Sequence, residues 1–167
     1  VQTCALPICG FFAGIVMIPL LKRVDIQFTK STLAMSCVFA AMIGLFISAQ
    51  DLGAAANAIF LQNTAPFWVY VIGVYLLGEP ATPRGTQAIL LGLAGALVIV
   101  IGGWPRDLPP EREGREITIL LMAVGSGALY GCVILFLRHL RHVNPAWLVF
   151  LNQMGSAVFL ALFVLVA

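Results

Sequence analysis

From Thr32 to Gln50 the chain crosses a full membrane thickness without a charged side chain, and it does so again at 54–78, 86–104, 117–137 and 146–167. A run of about 20 apolar residues is the length a helix needs to span hydrocarbon, and no soluble domain tolerates five of them in so short a chain. Composition agrees: 61% of the 167 residues are apolar and 10% charged, and the mean hydropathy is +1.03. Nine basic against seven acidic residues leave no concentrated basic face, so nucleic acid is excluded as a partner. The expected fold class is an all-α polytopic membrane protein whose first partner is the lipid bilayer. A shorter run, 9–21, ends at Lys22 and Arg23 and reads as the second half of a span, which brings the expectation to about six transmembrane helices.

Both ends look like truncations: the chain starts at Val1 without Met and stops at Ala167 inside an apolar run. The octet VQTCALPI, residues 1–8, matches the in-frame translation of a sequencing-library adapter and is read as an artefact, so Cys4 and Pro7 carry no weight. The alternatives are a native segment with Pro7 near a helix start, where proline is tolerated, or a signal peptide, for which the charged n-region and cleavage site are missing. Cys9, Cys37 and Cys132 lie in apolar runs and act as small hydrophobes, so no disulfide is expected.

Charge orients the spans. Lys22, Arg23, Lys30, Arg84, Arg138 and Arg141 fall on one side, while Arg106, Arg112 and Arg115 fall on the other, six against three. The richer side is placed in the cytoplasm, in what is expected to be a bacterial inner membrane. The charged, Pro-rich stretch 105–116 is then an external connector, and Trp104 before it suits an interfacial anchor.

The 54–78 run is the unusual one, because Gln62, Asn63, Thr64 and Pro66 interrupt it. Polar groups are costly in lipid and normally face a bundle interior or a cavity. On helical spacing Asn63, Pro66, Phe67 and Tyr70 share one face, and Asn57, Thr64 and Trp68 the adjacent one. Pro66 cannot donate to the Gln62 carbonyl, and discontinuous helices of this kind hold substrate in secondary transporters. The competing reading is interhelical glue around a packing kink. Ser126 and Tyr130 in the fifth run and Asn152 in the sixth could reach the same cavity, or be satisfied core residues. Ala123, Gly127 and Gly131 form a small-residue stripe that admits a neighbouring backbone. Ala88, Gly92 and Ala96 form another, read as packing, including against a second copy in a homodimer; Gly10 and Gly14 repeat the spacing. Glu79 suits a structural pairing, with Arg84 or with backbone donors, better than proton coupling. His139 and His142 lack a carboxylate or Cys companion, and no catalytic motif or phosphate-binding loop occurs, so no enzyme activity, metal or cofactor is expected.

The stretch Ala54 to Gly103, with Pro66 in a span, LLGE ending it at Glu79 and a Gly-rich span following, resembles the end of an EamA-type module of the drug/metabolite transporter superfamily. GREITILLMAVGSGALYGCVILFLRHL resembles the start of the second module. The resemblance implies a ten-helix inverted-repeat carrier, with 9–104 as the last four helices of the first repeat and 117–167 as the first two of the second. It implies that Pro66 and Glu79 are shape-setting motif positions, and that Pro80 after Glu79 departs from the pattern. The expected function is secondary transport, exporter-like efflux of a small metabolite or amphiphilic compound by alternating access. The alternative is a membrane scaffold or assembly subunit whose polar residues only hold helices together.

Overall fold

The structure is a computed structural model that describes residues 11–16, 18–21, 28–52, 55–102 and 110–166, without the side chains of 20, 55–57, 100, 110–113 and 163–166. The adapter-like octet, Gly10, Lys22, Arg23, Trp104 and most of the connector lie outside these residues. Among the described residues all regular structure is helical. Residues 11–16 are helical and Ile18–Leu20 form a 3-10 turn, followed by α1 (Lys30–Leu52), α2 (Ala55–Gln62), α3 (Ala65–Tyr75), α4 (Pro83–Gly102), α5 (Pro110–His139) and α6 (Pro145–Val166).

Prolines and hydroxyl or amide caps set where these helices begin. Proline is at home in a first turn, where its missing N–H would have no partner anyway. Pro83 opens α4 behind Thr82, whose Oγ1 accepts from the Gly85 N–H at 3.2 Å. Pro145 opens α6 behind Asn144, whose Oδ1 accepts from the Ala146 N–H at 2.9 Å. α1 starts on a reciprocal pair, the Thr29 N–H donating to Thr32 Oγ1 at 3.0 Å and the Thr32 N–H to Thr29 Oγ1 at 3.3 Å. Pro110 opens α5 well before residue 117, the start expected from hydropathy. The connector's second half is thus helical, although too charged for hydrocarbon.

Three described helices are long and apolar enough to cross a membrane: Lys30–Leu52, Gly114–His139 and Pro145–Leu162. The apolar part of α4, Pro83–Ile99, is just shorter. Of the expected runs, 54–78 folds as two helices of 8 and 11 residues instead of one span.

The chain divides into two compact units, 1–44 with 133–167, and Leu45–Cys132, the boundaries falling within α1 and α5. In the first, Met35, Leu140, Val143, Trp147 and Leu148 form the core, and Trp147 stacks on Phe150 with centroids 5.6 Å apart. Ser36 Oγ donates to the Leu151 carbonyl at 3.1 Å, which brings α1 against α6 where Gly155 leaves room for it. Gly14 abuts Met154 in the same unit. In the second, Ala49, Ala58, Leu61, Ile119 and Ala123 form the core. Such small residues are how helices approach in lipid, where apolar burial drives nothing and close contact must. Outward apolar side chains abound, Leu91 at 74%, Val98 at 70% and Ile101 at 71% exposure on α4 alone. In water that surface would aggregate; in a bilayer it is the solvated face.

Candidate functional site

The break in the second unit is built from residues 62–66. Pro66, second in α3, has no N–H for the Gln62 carbonyl, so a continuous helix would lose a bond there, and the chain turns instead. The turn is tight: the Thr64 N–H donates to the Leu61 carbonyl at 3.1 Å, and the Phe67 N–H to the Thr64 carbonyl at 2.9 Å. Thr64 is the N-cap of α3 but makes no side-chain cap bond. Its Oγ1 instead donates backwards to the Leu61 carbonyl at 2.7 Å, as Asn63 Nδ2 does to the Ile59 carbonyl at 3.0 Å. Pro66 is therefore a first-turn proline of a new helix and not a packing kink within one.

A cleft of about 500 Å³ opens at this break. One wall carries Phe60, Asn63, Thr64, Pro66 and Phe67, and the other is α4, presenting Ala88, Gly92, Gly95 and Ala96 between larger aliphatics. A smaller cleft of about 210 Å³ shares Thr64 and Phe67 and is closed by Trp68, Leu120 and Val124. The Trp68 Nε1 is buried, with no hydrogen-bond partner among the described residues. The stripe Ala88/Gly92/Ala96, expected to serve packing, thus lines a cavity, because α4 meets α2 and α3 without filling the notch their break creates.

Glycines of α5 support the break from behind. A Cβ on Gly127 would stand 2.7 Å from Thr64 Oγ1 and 2.9 Å from the Leu61 carbonyl oxygen. One on Gly131 would stand 2.8 Å from Trp68 Cβ and 3.3 Å from the Ala65 carbonyl oxygen. Only hydrogen fits between the helices at the first of these positions and barely more at the second. Three residues past the end of α3, Gly78 takes a left-handed φ of +66°, and the Glu79 N–H returns to the Gly73 carbonyl at 2.9 Å. The Glu79 carboxylate lies over Gly73, 3.0 Å from where a Cβ would be, so this motif residue shapes the α3 end.

Of the residues expected to line a cavity, Asn63, Thr64 and Pro66 meet in the larger cleft and Trp68 in the smaller. Tyr70 lines neither; its hydroxyl shares a 2.6 Å hydrogen bond with Thr86 Oγ1, tying α3 to α4. Ser126 is fully buried and donates to the Ala123 carbonyl at 2.7 Å, a packing position rather than a cavity one. Its hydroxyl is satisfied within its own helix. Tyr130, 38% exposed, stands outside both clefts. Asn152 belongs to the other unit, where it is 7% exposed and its Oδ1 has no partner among the described residues. The Asn57 side chain is outside the described residues. Phe60 and the glycine wall were not singled out as a site, since neither carries polarity, the signal used to find one. Among the described residues no group of three His, Cys, Asp or Glu could hold a metal ion.

Neither a curated protein nor a solved structure matches the chain. The EamA-like transporter family does, over residues 8–101, more than half of the sequence. That stretch contains the broken helix, every residue named in the wall of the larger cleft, and the Glu79 turn. This integral membrane protein, with a helix interrupted at Pro66 and closed at Glu79, belongs to the EamA-like transporter family.

Proposed function

We propose that the chain exports a small metabolite or amphiphilic compound across a bacterial inner membrane by alternating access, and that it catalyses no reaction. Residues 9–104 are assigned to one repeat of an inverted pair and 117–167 to the other, with the side bearing Lys22, Arg84 and Arg138 in the cytoplasm. The observation that carries this reading is the cleft at the break, where Asn63 and Thr64 put hydrogen-bonding atoms into an otherwise apolar wall. Broken helices are where secondary carriers hold cargo. Asn63, Thr64, Pro66 and Trp68 are assigned to the substrate path, and Tyr70, Ser126, Glu79, Gly127 and Gly131 to the frame around it. Asn57 and Tyr130 are assigned to faces that meet the path as it opens.

The test is water access. A cysteine at position 63 in the intact protein, in native membranes, should react with a membrane-impermeant thiol reagent, from each side in turn as the protein alternates. Reaction from neither side would favour a scaffold, in which Asn63 only joins helices.

A further inference from the structure

None of the described residues lining the larger cleft is ionisable. Its two hydrogen-bonding side chains stand together at the break, and both have already given protons to the backbone, Thr64 to the Leu61 carbonyl and Asn63 to the Ile59 carbonyl. Thr64 Oγ1 lies back against Gly127, so what the pair still offers is mostly the acceptor capacity of Asn63 Oδ1, with one amide N–H. Lipid tails cannot donate to that oxygen, and the N–H groups of a neighbouring helix are bonded within that helix. On the facing wall no described atom lies within 4 Å of where a Cβ on Gly92 or Gly95 would stand, so missing side chains hold the cleft open. Phe60 and Phe67 face that space with apolar rings suited to a flat body.

From this pattern of acceptors and open space we infer that the cleft takes an uncharged compound with a flat apolar body and a hydrogen-bond donor, a hydroxyl or amide N–H, at one end. The inference rests on the transport reading for its purpose, though binding needs no transport. An ammonium would leave water for a wall without a carboxylate, and a carboxylate would meet mostly lone pairs.

Three probes with one body separate these terms: 2-naphthol, 2-methoxynaphthalene and 1-naphthylmethylammonium, bound to the full chain in lipid nanodiscs. Gly92→Leu fills the cleft from open space, and Gly102→Leu, equally open but outside the lining, is the control for lipid partition. 2-Naphthol should bind saturably, lose at least about tenfold in Gly92→Leu, and bind unchanged in Gly102→Leu. The methyl ether should bind about tenfold more weakly, the worth of one net hydrogen bond, and the ammonium more weakly still. Gly95→Leu, filling the same space one turn away, carries the same expectation should Gly92→Leu unfold. Tightest binding by the ammonium, equal binding of naphthol and its ether, or unchanged binding in both cleft-filling variants would overturn the inference. Saturable naphthol binding without water access at position 63 would instead overturn the transport reading alone.

Discussion

One substitution, glycine to alanine, should act with opposite sign at two helical positions of this protein. At Gly127 the new Cβ would meet the Leu61 carbonyl oxygen at 2.9 Å, backbone that cannot step aside, and overpacking of this kind costs about 1–3 kcal/mol. At Gly92 nothing lies within 4 Å, and alanine exceeds glycine in helix propensity by about 1 kcal/mol. Thermal unfolding in detergent should therefore show Gly127→Ala melting lower and Gly92→Ala level or higher; the same direction for both would mean that α5 does not contact the break as described. Gly78→Ala should also destabilise, by about 1–2 kcal/mol, because φ of +66° is costly for any side chain with a Cβ. The spacing of Ala123, Gly127 and Gly131 announced a close approach, but no spacing names the partner. That the partner is the broken segment follows from contacts between residues more than 60 positions apart, which no local pattern encodes.

For the α2–α3 pair, Pro66 and Thr64 divide the work of interruption. Pro66 sits in the first turn of α3 and removes no bond inside it, so Pro66→Ala should change stability by less than about 1 kcal/mol. Val71→Pro, in the interior of α3, should cost about 3 kcal/mol or more. Thr64→Val removes the 2.7 Å bond to the Leu61 carbonyl and should cost about 1 kcal/mol, since the Thr64 N–H still holds that oxygen. A gain of about 3 kcal/mol for Pro66→Ala, read by circular dichroism on heating, would show that 54–78 is one kinked helix after all. The polar residues and proline were legible as an interruption because hydrocarbon punishes both. Whether they bend a helix or separate two depends on what the freed groups bond to, and here Thr64 and Asn63 bond backwards and end the first helix.

Across the whole molecule, lipid is the partner that the outer surface demands. α4 is 20 residues and so about 30 Å long, enough to reach across hydrocarbon, with Leu91 outward at 74% exposure near its middle. Leu91→Lys should raise the insertion free energy of that segment by about 2.5–3.5 kcal/mol, measurable as loss of glycosylation-reported insertion, whereas Arg84→Lys at its end should change it little. Insertion unaffected by Leu91→Lys would place that face of α4 against protein or water instead. The sequence alone determined the membrane class, the apolar segments and the special status of 62–66, because these follow from transfer costs that each residue carries with it wherever it goes. Tertiary structure alone decided that a glycine face of α4 lines a cleft opposite the break, that α5 backs it through Gly127, and that the Tyr70 hydroxyl meets Thr86 while Ser126 bonds within its own helix. A cavity is the space that packed helices fail to fill, and its walls exist only once the helices have met.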